Sequence, residues 1–260
     1  MNPEGFFPEG FARGFFPRVF PEGFCPRVFA RGIRVVQFLK HEKDSAMKVI
    51  YLIITTVILI ISLSAGCGDL GVNRTIQIAD GESHKGDLNS VNGAIIIGRN
   101  CEISGGCRTV NGGIEVKESA TVEDLLAVNG SISLAENVLV LGEVNTVNGS
   151  IDCQPGVTVK DEISTLNGDI NLNNSTVKYN VQTINGDITL HNKSIVEGDI
   201  VIRPRRGFSA DNPALSITIS DSSVVGGDII NRDKDRTVNV ILSSGGQVKG
   251  RVQNAEVIRQ

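Results

Sequence analysis

The chain has 260 residues, a formal net charge of −4 and 5% aromatic residues, with no tryptophan. The charge is unevenly divided: residues 1–66 carry 8 basic and 5 acidic side chains, residues 67–260 carry 17 and 24. The acidic larger part lacks the basic face that phosphate neutralisation needs, which argues against nucleic acid as a partner. Of ten phenylalanines only Phe208 follows Phe38, so a core in the rest of the chain must be built from Val, Ile and Leu, as in stacked β-structure.

Residues 1–46 are low-complexity. Pro-Glu-Gly-Phe recurs from Pro3, Pro8 and Pro21, Phe-Ala-Arg-Gly from Phe11 and Phe29, and Pro-Arg-Val-Phe from Pro17 and Pro26. The shuffled units have no period of 2 or 3.6 that would bury a face, and Pro and Gly break either element. The alternatives are a Phe-rich interaction tail and an upstream extension mis-translated ahead of the true start; the second is favoured because Met47 opens a leader. Met47-Lys48, the apolar run Val49–Leu63 and Ser64-Ala65-Gly66 form the three regions of a secretory signal peptide over residues 47–66. A transmembrane anchor is the rival, but the run is short for a span of about 20 residues.

Leu63-Ser64-Ala65-Gly66-Cys67 resembles the lipobox of bacterial lipoproteins, although Leu63 lies four rather than three positions before the cysteine. The resemblance implies cleavage before Cys67, a diacylglyceryl thioether on its sulfur, an acylated amine, and membrane attachment through that lipid. Gly68, rather than Asp, follows the cysteine, and by resemblance to the enterobacterial sorting rule of such lipoproteins this implies the outer membrane. Residues 67–84 are then expected to be the lipidated Cys and a tether, with a possible first strand at Thr75–Ile78.

From Lys85 to the C-terminus one phrase organises the sequence. Val91-Asn92-Gly93, Val110-Asn111-Gly112, Val128-Asn129-Gly130, Val147-Asn148-Gly149, Leu166-Asn167-Gly168 and Ile184-Asn185-Gly186 place asparagines 19, 18, 19, 19 and 18 residues apart. A fixed period in this range marks a solenoid. Alternation within each short run is the period of a strand, and Asn-Gly supplies a corner pair that tolerates positive φ. A hairpin turn at each Asn-Gly would reverse direction about every nine residues and would not return the same columns. The expected fold is all-β: a single-stranded parallel β-helix, right-handed, of about eight or nine coils over residues 85–260.

The columns assign faces. Val110, Val128, Val147, Leu166 and Ile184 are expected to point inward, and Thr109, Thr146, Thr165 and Thr183 outward in a column broken by Ala127. Asn92, Asn111, Asn129, Asn148, Asn167 and Asn185 can form a ladder of side-chain amides. Cys107 and Cys153 fall in aliphatic columns and are expected to be buried thiols; a Cys101–Cys107 disulfide is possible in an oxidising compartment. Two interruptions stand out, the basic stretch Arg203–Pro213, where Arg203, Arg205, Arg206 and Phe208 are candidate binding residues, and the charged stretch Asn231–Arg236, read as a solvent-facing turn.

The later phrases Glu197-Gly198-Asp199-Ile200 and Gly226-Gly227-Asp228-Ile229 resemble those of bactofilins and related polymer-forming β-helices, and Thr-Val-Asn-Gly-x-Ile resembles the adhesin-like domains of bacterial surface proteins. Neither family has a catalytic residue to transfer.

Asp169 and Asp187 share one outward column, about a strand spacing apart. They are the only weak candidates for a cation pair or an acid–base pair, against the plain reading of a solvated face. His84 and His191 have no partner motif, and no zinc spacing or phosphate-binding loop is present. No cofactor or metal is expected. The expectation is a non-enzymatic, lipid-anchored envelope protein with a structural, adhesive or self-assembling role. The alternative is a module binding a surface glycan through the Thr column or the Arg203 stretch; a polysaccharide-active enzyme is third.

Overall fold

The computed structural model describes residues 69–205 and 213–260. The segments read as an extension, a signal peptide and a lipidated Cys67 lie outside the described residues, as do Arg206 and Phe208. Each coil gives one strand to each of three parallel sheets. In one central coil these are Leu125–Asn129, Ile132–Leu134 and Leu139–Val140. The sheets hold 10, 10 and 9 strands, and the neighbours in every sheet are equivalent strands of consecutive coils. The described residues therefore form a parallel β-solenoid of nine full coils and two strands of another. Coils stacked at about 4.8 Å make this stack roughly 40 Å long.

The register follows the repeat. Leu125 pairs with Cys107 on one side and Val144 on the other, and Asn129 lies between Asn111 and Asn148. Leu134 stands between Val116 and Cys153. Each inward position thus forms an aliphatic row: Leu88, Leu125, Val144, Ile163, Val181 and Ile200 are at most 1% exposed. Full burial of an aliphatic residue of this size contributes about 1.5–3 kcal/mol. No single coil can bury its own row, so stacking is what stabilises each one.

The solenoid begins earlier than Lys85. Asp69–Gly71, Ile76–Ile78 and Ser83–Lys85 already form a complete first coil, with Asp69 paired to Leu88. The part read as a tether thus holds strands of the first coil, at Asp69–Gly71 as well as at Ile76–Ile78, where a possible first strand was expected.

The threonine and valine columns lie on the opposite sides from those expected. Thr109, Thr146, Thr165 and Thr183 are buried, and Ala127, in the same column, belongs to the main core. Val110 and Val128 form a separate small apolar cluster, with Val147 packed against it. Alternation explains this: if Cys107 points inward, so does Thr109 two residues on, and Val110 takes the other face. Three of the four buried hydroxyls are met by backbone, while that of Thr183 has no partner among the described residues. Thr109 Oγ1 donates to Gly93 O at 3.0 Å and Thr146 Oγ1 to Gly130 O at 3.0 Å.

Cys101, Cys107 and Cys153 are buried free thiols. Cys101 and Cys107 are not joined: the strand Glu102–Ser104 and a glycine turn separate them, and the Cys101 sulfur lies 3.0 Å from Ala79 O. Burial, aided by Asp87, pushes the Cys107 thiol up to about 12. Burial, aided by Asp152, does the same for Cys153, to about 12.

Candidate functional site

The conspicuous surface feature is the corner where the first strand of each coil ends in Asn-Gly. The side-chain amide of each asparagine donates to the Oδ1 of its counterpart one coil earlier. Asn111 Nδ2 lies 2.7 Å from Asn92 Oδ1, and the bonds from Asn129, Asn148, Asn167 and Asn185 are 2.9, 2.9, 2.8 and 2.7 Å. All bonds run the same way. The row starts one residue pair before the motif does: Asn92 donates to Asn73 Oδ1 at 2.6 Å. Asn73 sits 19 residues before Asn92, so its spacing was legible, but Arg74 follows it in place of Gly.

The glycines serve close stacking more than turn conformation. Among them only Gly168 and Gly186 have positive φ, +153° and +146°. A Cβ on Gly112, Gly130 or Gly149 would collide with the carbonyl of the glycine one coil below. The expectation that Asn-Gly supplies a positive-φ pair at each corner is therefore corrected. Left-handed residues gather at the next corner instead, between the second and third strands, at Asn100 (53°), Ser119 (59°), Asn137 (59°) and Asn174 (43°). Short polar side chains tolerate that region.

The row ends at Asn185. Continuing the register from Thr183 paired with Ile202 places Pro204 opposite Asn185. Proline has no amide to give, and the backbone leaves the sheet there. Arg236 fills the gap from the interruption two coils on. Its Nη1 donates to Ile184 O at 2.6 Å and to Asn185 Oδ1 at 3.1 Å, and its Nε to Pro213 O at 3.0 Å. Asn231–Arg236 is thus not a plain solvent-facing turn: Asn231, Asp233 and Arg236 are 1%, 8% and 7% exposed. Asn231 Nδ2 holds it closed by donating to Arg236 O and Asn254 O. Burial, and then the like charge of Arg205, lower the Arg236 pKa, while Asp233 and Asp187 oppose that.

Asp169 and Asp187 are adjacent and exposed, but one oxygen of each is engaged. Asp169 Oδ1 accepts the Asp187 backbone N–H at 2.8 Å, and Asp187 Oδ1 accepts that of Ser216 at 2.8 Å. The corner between the third and first strands repeats the device: Asp124, Asn180, Asp199 and Asp228 each take the backbone N–H of the next coil. Carboxylates here cap a displaced backbone amide rather than converge on one point. Among the described residues no group of three or more His, Cys, Asp or Glu is placed to hold a metal ion.

The remaining candidates stay apart. His84 lies in the first coil, and His191 Nδ1 is 3.0 Å from Asn192 Nδ2 at a corner. Arg203 is exposed and Arg205 half-buried just past the strand Ile200–Ile202, where the repeat is interrupted. The buried threonine column offers no exposed hydroxyl row for a glycan.

Comparison with protein-family models, with curated proteins and with solved structures finds no match for this sequence.

Proposed function

We propose that this is a non-enzymatic envelope protein, a rigid β-solenoid spacer held to the outer membrane by lipid on Cys67 and able to associate with copies of itself. One observation carries the reading. Residues with chemical capacity along the stack are spent on joining coil to coil: the amide row, Asp169, Asp187, and the acidic third corner. The solenoid begins at Asp69, so a single residue separates it from Cys67. Such a junction would transmit the membrane attachment directly to the stack. More than one acyl group gives durable anchoring where one is marginal.

Mass spectrometry of the N-terminal peptide from detergent-extracted protein tests this. The expected species begins at an acylated Cys67, and Cys67→Ala is released from the membrane fraction. An unmodified Met1 terminus, or a Cys67→Ala protein that stays membrane-bound, overturns the reading.

A further inference from the structure

Asn-Gly is the dipeptide most open to spontaneous deamidation, because no Cβ hinders the glycine nitrogen. That nitrogen attacks the asparagine Cγ and loses its proton to solvent. The bond between Cγ and Nδ2 breaks, and ammonia leaves a succinimide. Water then opens the ring at either carbonyl to give aspartate or isoaspartate. Six such pairs lie in one row, but their glycine amides are not equivalent.

In four pairs the nucleophile is tied up. Gly112 N–H donates to Asn129 O at 3.1 Å, Gly130 to Asn148 O at 3.0 Å, Gly149 to Asn167 O at 2.9 Å and Gly168 to Asn185 O at 2.8 Å. All six asparagines are held on both sides, Asn92 between Asn73 and Asn111 and Asn185 between Asn167 and Arg236, so the glycine amide is what separates the pairs. At the four inner pairs attack must break the glycine amide's bond as well. Among the described residues, neither Gly93 nor Gly186 makes the corresponding amide bond. These are the first and last pairs of the row. Asn92 is exposed and Asn185 half-buried beside Arg236.

We infer that Asn92–Gly93 and Asn185–Gly186 are the deamidation sites of the folded protein, with water as the only co-reactant, and that the four pairs between them are protected by the stack. The two products differ. At residue 92 the change replaces the donor of the Asn73 bond by a carboxylate, and isoaspartate adds a methylene to the corner backbone, which loosens the first coil. At residue 185 the new carboxylate meets Arg236, whose described acceptors are all uncharged.

Timed incubation of the purified full-length protein at mildly alkaline pH, followed by peptide mapping that distinguishes isoaspartate, tests this. Residues 92 and 185 are expected to convert at least about tenfold faster than 111, 129, 148 and 167 in the folded protein, a difference of about 1.4 kcal/mol in barrier. In denaturant all six are expected to convert at similar rates. Conversion at the inner four as fast as at the ends, no conversion at the ends, or a bias that survives in denaturant would each overturn the inference.

Discussion

Arg236 Nη1 donates to Asn185 Oδ1 at 3.1 Å across 51 residues of sequence, and so ends a row of amides that began at Asn73. The same nitrogen meets Ile184 O at 2.6 Å. Arg236→Ala leaves these acceptors under a largely buried surface without their donor. We expect a loss of ~2–4 kcal/mol, since a buried group stripped of its partner costs its desolvation. Arg236→Lys should recover only part, because an ammonium lacks the planar fork that reaches three acceptors. Urea unfolding monitored by circular dichroism measures both; a change below about 0.5 kcal/mol for Arg236→Ala would remove the capping role.

Asn148→Ala removes one donor, to Asn129, and one acceptor, for Asn167. The row is exposed, so water replaces much of what is lost, and the expected cost is ~0.5–1.5 kcal/mol. Hydrogen exchange should quicken at the Gly130 and Gly149 amides, which bond the carbonyls of Asn148 and Asn167. Unchanged exchange at both would show that the row does not stiffen the corner.

Gly149→Ala separates steric need from conformational need. Its φ is not positive, but the added Cβ would strike the Gly130 carbonyl. The coils would have to part locally, at ~2–4 kcal/mol, the range for overpacking and backbone displacement. Gly81→Ala is the contrast: nothing lies within 4 Å of its Cβ but φ is +79°, so its cost, ~1–2 kcal/mol, is that of the left-handed region alone. Equal midpoints for the two variants in thermal melts would contradict the assignment.

The thiols predict an alkaline limit. Cys107 and Cys153 are raised from 9.0 to about 12 by burial. A raised folded value means that the folded state holds the proton more tightly. The contribution is therefore fully present below about pH 9 and is lost as pH rises from 9 towards 12. At about pH 11 the loss approaches ~2–3 kcal/mol per thiol. The Cys107→Val/Cys153→Val protein should lose less stability between about pH 8 and pH 11 than the wild type, measured by denaturant midpoints at each pH. Parallel pH curves would contradict burial as the cause.

Some of this was legible along the sequence and some was not. The period of 18 or 19 residues fixed the columns, and with them the aliphatic rows and the buried Cys107 and Cys153. It also located both interruptions. The faces of the five-residue strand were harder. Val110 is the more apolar residue, yet Thr109 is the one inside, because strict alternation from Cys107 governs and a hydroxyl can be met by Gly93 O. The role of the corner glycines was hidden too, since a close approach between coils leaves no trace in the local sequence, whereas positive φ is the usual reason to expect Gly.

Sequence by itself determined the solenoid, because each coil repeats the same local alternation and only stacking buries it. The tertiary structure alone decided what happens where the repeat stops. Pro204 cannot supply the next rung, and Arg236 does so from 51 residues beyond Asn185. It also decided which Asn-Gly pairs are shielded, since that depends on whether the glycine amide bonds a carbonyl of the coil above. Both are contacts between segments distant in sequence, set by where the coils lie and not by the residues next to them.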